Sequence, residues 1–114
     1  MTALYKIMSA DDWAEAQRAG KVAPAPVDVR DGYIHLSTED QVLETARLHF
    51  AGRTDLVAAE FAAEDFGAAL KWEASRGGAL FPHLYADLLA AKARGARRLI
   101  RSADGSFAFG GGAL

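Results

Sequence analysis

The chain opens with an alternation of apolar and polar residues and then changes to a helical spacing. The run from Leu4 to Met8 consists largely of β-forming residues, which predicts a first strand. Ser9 is a favourable N-cap residue and Gly20 is typical of a helix end, so a helix is predicted between them. The stretch from Val22 to Arg30 contains two of the three prolines and is predicted to be an extended loop.

A second strand and a second helix are predicted in the middle of the chain. Tyr33 to Leu36 has the composition of a short strand. Thr38 and Gln41 have the spacing of a capping box, so a helix is predicted to begin there. The run from Asp55 to Phe61 is apolar enough to be a central strand of a sheet.

The second half of the chain is richer in strand patterns than in helix patterns. Leu70 to Glu73 is a strand candidate, and Ser75 to Pro82 is predicted to be a glycine-rich loop. The alanine-rich stretch from Leu88 to Ala96 predicts one short helix. The pair Asp104-Gly105 lies between two β-type runs and predicts a hairpin.

These elements together predict the fold class. Two main helices among about six short, twisted strands are typical of a compact α+β fold. The 114 residues suit one domain, placed at residues 1–109, with a flexible glycine-rich tail at 110–114. The strand–helix–strand order between Tyr33 and Phe61 also permits a parallel unit, but the second half lacks the helices to continue one.

Composition narrows the classes of function. The chain has no cysteine, which excludes disulfides, thiolate metal sites and cysteine nucleophiles. A net charge of -2 gives no overall attraction to nucleic acid or to anionic membranes. The sequence has neither an apolar run approaching the roughly 20 residues of a membrane span nor a signal-peptide layout, so a cytoplasmic location is expected. One basic cluster is interpreted as a solvated face: Lys92, Arg94, Arg97, Arg98 and Arg101.

The first candidate site lies where the second strand meets the second helix. Tyr33, His35 and Ser37 share one face of the predicted strand, because side chains alternate along it. Ser37 and Thr38 stand at a helix start, whose free N–H groups favour an anion, and Arg30 or His35 would add donors. Helix capping and a local hydrogen bond of His35 explain the same residues without a ligand, and the pattern alone does not decide between these two interpretations.

A second candidate group comes from the later strands. Trp72 and Glu73 are adjacent, and His83 and Tyr85 follow a proline that stiffens the chain. Aromatic walls with a carboxylate and an imidazole are the usual composition of a small-molecule pocket. Each residue taken separately is also compatible with a purely structural role.

Three mechanisms can be compared with these residues. His35, His83 and Glu73 are the residue types of a metal site with two histidines and a carboxylate, but their spacing is not that of a metal motif. Ser37 lacks the nucleophile-elbow sequence of a serine hydrolase. The run from His35 to Ser37 matches one half of the paired His-x-Ser/Thr pattern of the two-histidine phosphoesterases. The second half is missing, because Tyr85 stands where that pattern needs serine or threonine.

Over about residues 4 to 86, the sequence resembles a family of small bacterial proteins known as domain of unknown function 952 (DUF952). The motifs that carry the resemblance occur in the right order: Tyr5-Lys6-Ile7, Trp13, Asp31 to Thr38, Gln41, Thr45-Ala46, His49-Phe50, Leu56-Val57, Leu70 to Glu73 and Phe81 to Tyr85. The resemblance implies a fold like that of the ADP-ribosyltransferases. Beyond Tyr85, such proteins usually show a strand rich in proline and leucine, which this chain lacks.

A more distant similarity points to a ligand. The run from His35 to Thr38 and the Leu56-Val57 strand look like parts of the NAD-using RNA 2′-phosphotransferases. In those proteins a strand histidine helps to hold the nicotinamide mononucleotide half of NAD, and His35 is the matching position here. Tyr85 and Glu73 are the candidates for the stacking tyrosine and the acidic residue of ADP-ribosyltransferases with a His-Tyr-Glu pattern. Those phosphotransferases use several arginines, whereas here only Arg30 and Arg76 are expected to reach the candidate site.

Three hypotheses of function follow. The first is an NAD- or nucleotide-using transferase of the ADP-ribosyltransferase-like class, with NAD as a substrate and no metal. The second is a non-catalytic module that binds a small molecule or nucleotide at the same pocket, and the third is an interaction domain whose aromatics only pack. The resemblance and the patterns nominate Glu73 and His83 as catalytic residues. The expected ligand-binding residues are Arg30, Tyr33, His35, Ser37, Thr38, Trp72 and Tyr85.

Overall fold

A computed structural model describes residues 1–111, except for the side chain of Arg76. The described residues contain three α-helices: α1 (Ala10–Ala19), α2 (Pro26–Asp31) and α3 (Glu39–His49). They also form eight strands: β1 (Ala3–Ser9), β2 (Ile34–His35), β3 (Ser37–Thr38), β4 (Leu56–Ala62), β5 (Leu70–Ala74), β6 (Leu80–Leu84), β7 (Gly95–Arg101) and β8 (Phe107–Phe109). The predicted α+β class is confirmed.

The strands form two antiparallel sheets. The larger sheet has the order β3-β1-β4-β7-β8, and the smaller has the order β2-β6-β5. Only Leu36 separates β2 from β3, so the chain passes there from the smaller sheet to the larger one. Strands β3 and β4 both run antiparallel to β1, which lies between them, so the β3–α3–β4 segment does not form a hydrogen-bonded parallel pair.

Both faces of the larger sheet are covered. Along β1, Leu4 and Met8 pack in one apolar cluster with Trp13 of α1 and with the smaller sheet. Tyr5 and Ile7 of the same strand pack in a second cluster on the α3 side. Because a strand buried on both faces has no exposed side, β4 is an almost continuous apolar run, as the sequence predicted for a central strand.

Several predicted boundaries are confirmed by the local hydrogen bonds. The Ser9 hydroxyl accepts a bond from the N–H of Asp12 at 3.0 Å and caps α1. Gly20 ends that helix with a left-handed φ of 96°, a conformation that glycine adopts without strain. Strands β7 and β8 pair around Asp104-Gly105, so the predicted hairpin is present.

The prediction of an extended loop from Val22 to Arg30 is wrong at its end, where Pro26 begins α2. A proline is favourable in the first turn of a helix, since that position needs no N–H donor. The Asp28 carboxylate accepts the Ala25 N–H at 2.8 Å and so stabilises the same turn. The glycine-rich loop also ends earlier than predicted, because β6 begins at Leu80 and contains Pro82.

The prediction of a helix from Leu88 to Ala96 is also wrong. Only a 3-10 turn forms there, at Ala90–Lys92, and β7 begins at Gly95. The Leu88 carbonyl accepts the Val22 N–H at 2.9 Å, and the Arg94 N–H bonds to the Glu60 carbonyl at 2.7 Å. These long-range backbone bonds outweigh the helix propensity of the alanines, which is only a weak preference.

Near the end of the described residues, Gly110 bonds back to β7. The Gly110 N–H donates to the Arg98 carbonyl at 2.7 Å, and residues 112–114 of the predicted tail lie outside the described residues. Within residues 1–111, every helix is too short or too polar to cross a bilayer.

We expect Leu84→Ala to destabilise the fold strongly. Leu84 is fully buried in the cluster between the two sheets, so truncation leaves a cavity and should cost about 2–5 kcal/mol of unfolding free energy. Leu80→Ala is the matched control on the same strand, because its side chain is 56% exposed. Its effect should stay within about 0.5 kcal/mol of wild type. Urea unfolding measures both, and equal losses in the two variants would contradict this packing.

Candidate functional site

The Asp28 carboxylate is the buried anchor of the candidate site. Its Oδ2 accepts bonds from Lys6 Nζ at 2.9 Å and from the Ala25 N–H at 2.8 Å. Its Oδ1 accepts the backbone N–H of His35 at 2.9 Å and lies 2.7 Å from the Nδ1 of that residue. A buried carboxylate is tolerated when its oxygens are satisfied in this way. Asp28 therefore fixes both the backbone and the imidazole of His35.

Lys6 supplies the compensating charge from the larger sheet. It lies on β1 between Leu4 and Met8, and its Nζ also donates to the His35 carbonyl at 3.1 Å. Burial alone raises the pKa of Asp28, but the Lys6 ammonium and the His35 hydrogen bonds outweigh it and hold that pKa below its usual value. Burial in turn lowers the pKa of Lys6, and the two side chains form a hydrogen-bonded bridge between β1, α2 and β2.

The other ring nitrogen of His35 faces a second carboxylate. His35 Nε2 lies 3.0 Å from Asp31 Oδ2, and Asp31 also accepts a bond from Arg30 Nε at 2.9 Å. The Arg30 bond is the main reason why the pKa of Asp31 is lowered. Carboxylates accept but do not donate when ionised, so donation to both requires a proton on each nitrogen of the ring. Both ring nitrogens of His35 are thus in contact with carboxylate oxygens.

Aromatic rings stack across the junction of β2 and β6. His35 and His83 are register partners in these strands, with ring centroids 5.5 Å apart. The Tyr33 ring stacks on His83 at 4.0 Å and 24°, and it lies 4.6 Å from His35. The Tyr85 ring is 5.3 Å from Tyr33. The strands thus bring residues from two separate sequence motifs into one cluster.

Glu73 closes the cluster from β5. Its Oε1 lies 2.8 Å from His83 Nδ1 and accepts the Tyr85 O–H at 2.8 Å. The bond with His83, followed by the one from Tyr85, lowers the pKa of Glu73. The same contact raises the pKa of Tyr85, because a phenolate beside a carboxylate is unfavourable. Glu73 is therefore an ionised, partly exposed carboxylate beside stacked aromatic rings.

A small cavity lies beside the cluster. It has a volume of about 250 Å³, and its lining includes Asp28, Gly32, Tyr33, Tyr85 and Asp87. Typical small-molecule sites span about 300–1,000 Å³, so this cavity suits one ring system rather than a whole dinucleotide.

Other predicted site residues lie apart from these rings. Ser37 is buried and donates its hydroxyl to Thr45 of α3 at 3.3 Å. The Thr38 N–H is bonded to Gln41, and the first turn of α3 carries two carboxylates, so the helix start is an unfavourable place for an anion. Trp72 alternates with Glu73 along β5 and therefore faces away from the cluster.

Four residues near the cluster were not predicted to be site residues from the sequence. Lys6, Asp28 and Asp31 contact each other or His35, and Lys71 is the register partner of His83 with its Nζ 5.9 Å from the Tyr85 ring. A lysine inside an apolar strand was the one available signal, since such a side chain needs a buried partner. Within residues 1–111, no group of three or more potential ligands is arranged to hold a metal ion.

The model of the family "Protein of unknown function (DUF952)" matches residues 7–95, which is well over half of the chain. The chain belongs to the DUF952 family. This match confirms the family resemblance in the sequence, and it includes every residue of the cluster and its anchor Asp28, but not Lys6. No curated protein matches the sequence.

Solved structures of another protein show the same fold. The crystal structure of CC0527 from Caulobacter crescentus is 45% identical, with a TM-score of 0.88 and 94% of each chain covered. The solution NMR structure of CC0527 is 46% identical, with a TM-score of 0.82, and covers 93% of this chain and 91% of that one. The DUF952 fold described above is therefore shared over nearly the whole chain.

We expect Lys6→Met to be among the most destabilising single changes at this site. It leaves the Asp28 carboxylate buried without its partner, which costs about 3–5 kcal/mol in comparable cases. Lys21→Met is the matched control, because the Lys21–Asp87 pair is exposed and 3.6 Å long, and exposed pairs contribute little. Chemical denaturation of both variants gives the comparison, and a small loss for Lys6→Met would argue against the buried bridge.

Alkaline titration tests the Glu73–Tyr85 contact. The pKa values of all three tyrosines are raised, so phenolate absorbance should rise only above the ordinary pKa of about 10. Glu73→Gln removes the neighbouring negative charge and should lower the pKa of Tyr85, shifting the first titration step toward lower pH. Glu64→Gln is the control, since Glu64 bonds to the Thr2 backbone instead. Superimposable curves for Glu73→Gln and wild type would refute the contact.

Proposed function

We propose that this protein binds a nucleotide of the NAD type at the cluster of His35, Tyr33, His83, Glu73 and Tyr85, and that Glu73 acts on the ribose of that nucleotide. The observation that carries the proposal is the stacking of Tyr33 on His83 beside the ionised carboxylate of Glu73. A flat heteroaromatic ring such as nicotinamide prefers stacking surfaces of this kind. A carboxylate next to such a ring is the group that a developing positive charge on ribose requires.

The two histidine–carboxylate pairs differ in which member is exposed to solvent. In the Asp28–His35 pair the carboxylate is buried, at 1% exposure, and the imidazole is 28% exposed. In the Glu73–His83 pair the imidazole is buried, at 4%, and the carboxylate is 40% exposed. A ligand would therefore meet the imidazole of His35 and the carboxylate of Glu73 as exposed polar groups beside Tyr33, which suits a nucleotide with an anionic phosphate and a cationic nicotinamide ribosyl group.

The resemblance of the motifs supports the same ligand. These motifs imply an ADP-ribosyltransferase-like fold, and His35 matches the histidine that holds nicotinamide mononucleotide in the NAD-using RNA 2′-phosphotransferases. The small cavity fits only part of a dinucleotide. We therefore propose that the nicotinamide half enters beside Tyr33 while the adenosine half lies on the surface.

The proposed reaction is a transfer at the nicotinamide ribose. The bond between C1′ of the ribose and the ring nitrogen breaks, and nicotinamide leaves with the bonding electron pair. Glu73 stabilises the resulting oxocarbenium ion by its charge, and water or an acceptor hydroxyl then forms the new C1′–O bond and releases a proton. His83 holds Glu73 in place through its Nδ1 contact.

A non-catalytic binding module on the same fold is the second candidate. One observation favours it. Glu73 Oε1 makes both contacts, with His83 and with Tyr85, so one of the two carboxylate oxygens is already used to hold the site together. A module of this kind would keep the stacking surface and the exposed imidazole of His35 but would not break the glycosidic bond. The binding module is expected to bind NAD as tightly as the transferase would, but without releasing nicotinamide.

Binding of NAD tests the shared part of the two candidates. We expect NAD and ADP-ribose to raise the melting temperature and to shift the amide NMR signals of Tyr33, His35, His83 and Tyr85. At a ligand concentration tenfold above the dissociation constant, the stabilisation is about 1.4 kcal/mol. If millimolar NAD and ADP-ribose leave both the melting temperature and these signals unchanged, the proposed function is refuted.

Glu73→Gln separates the transferase from the binding module. The transferase predicts slow release of nicotinamide from NAD by wild type and a loss of about 100-fold or more in the variant, with NAD affinity nearly unchanged. Glu64→Gln should behave as wild type. Tight NAD binding by wild type without any nicotinamide release would leave the binding module as the function.

A further inference from the structure

Asp31 occupies the exposed side of the His35 ring. Its Oδ2 lies 3.0 Å from His35 Nε2, and the same carboxylate accepts two bonds from the Arg30 guanidinium at 2.9 and 3.3 Å. A carboxylate between an imidazole nitrogen and a guanidinium makes the contacts that a phosphate group would make there. The protein therefore already contains an anion site, filled by one of its own side chains.

Asp31 is held far less firmly than Asp28. The Asp28 side chain is 1% exposed, whereas that of Asp31 is 28% exposed and its partner Arg30 is 72% exposed. Ion pairs this exposed contribute little to stability. Asp31 is also the last residue of α2, followed by Gly32 with a left-handed φ of 86°, so the chain can turn there without a side-chain clash. The side chain of Asp31 can therefore move away from His35 and Arg30 with little loss of stability.

The charges that remain after Asp31 leaves are unbalanced. Asp28 is already paired with Lys6, and the Nε2 of His35 would lose the carboxylate that it now contacts. Arg30 would lose its hydrogen-bonded acceptor. The guanidinium of Arg30 and the Nε2 of His35 would then both be open to an incoming group. An incoming anion restores the balance that Asp31 provides in the unliganded protein.

We propose that Asp31 is an internal substitute for a phosphate group of the ligand, and that it is displaced from His35 and Arg30 when that ligand binds. The anion site accepts a phosphate group either on a nucleotide or as free pyrophosphate. The identity of the rest of the ligand rests on the proposed function, whereas the exchange of Asp31 for phosphate does not.

Asp31→Asn tests the exchange. The variant keeps the size of the side chain but removes the competing charge, so it should bind inorganic pyrophosphate and ADP-ribose about tenfold more tightly than wild type at low salt. Asp87→Asn is the matched control, because Asp87 is an aspartate of the cavity beside the cluster that pairs with Lys21 and not with His35 or Arg30. Isothermal calorimetry measures the affinities. Wild-type protein adds a second readout, since pyrophosphate should move the ¹⁵N resonance of His35 Nε2.

The outcomes distinguish this inference from the proposed function. Tighter pyrophosphate binding by Asp31→Asn alone supports the exchange, even if NAD binds to neither protein and the proposed function fails. NAD binding by wild type with no gain in Asp31→Asn overturns the exchange and leaves the proposed function standing. An equal gain in Asp87→Asn, or no anion binding by any variant together with an unmoved His35 resonance, also overturns it.

Discussion

The ion pair between Lys6 and Asp28 is the contact on which the arrangement of this protein depends. It joins the first strand of the larger sheet to the short helix α2 and to the edge strand β2 of the smaller sheet. Two buried charges are costly to place in a protein interior unless every oxygen and every proton has a partner. Here the surrounding backbone provides those partners, so the cost of burial becomes a constraint on where α2 and β2 can lie.

The buried position of Asp28 also decides which group of its pair with His35 is exposed. Asp28 holds His35 from inside, so the imidazole is the part of this pair that solvent and ligands can reach. The buried His83 likewise holds Glu73 from inside, and the carboxylate is accessible. The two histidine–carboxylate pairs thus expose different groups, an imidazole in one and a carboxylate in the other, because a different member of each pair is buried.

The sequence predicted individual strands and helices better than the long-range contacts between them. Periodicity and caps located β1, α1 and β4 because their side chains obey local rules of alternation and helix ending. The helix predicted over Leu88 to Ala96 was wrong, since backbone bonds to distant residues outweighed local propensity. Such long-range partners leave no trace in a local window of sequence.

The candidate site was predictable in part. His35, Glu73, His83 and Tyr85 could be chosen by residue type and motif, and the structure brings them together with Tyr33. Asp28 could not be found in this way, because it lies in a segment that was predicted to be a loop. Its importance depends on a lysine more than twenty positions earlier, and no spacing rule connects the two residues.

Only Leu36 separates β2 from β3, so the site lies where the chain passes from the smaller sheet to the larger one. Strand β2 has only two residues, too few to set its own pairing with β6, and a slip of one position would turn His35 to the opposite face. The Asp28 bonds to both the backbone and the ring of His35 prevent that slip. A ligand held at His35 would therefore slow hydrogen exchange on both sides of Leu36.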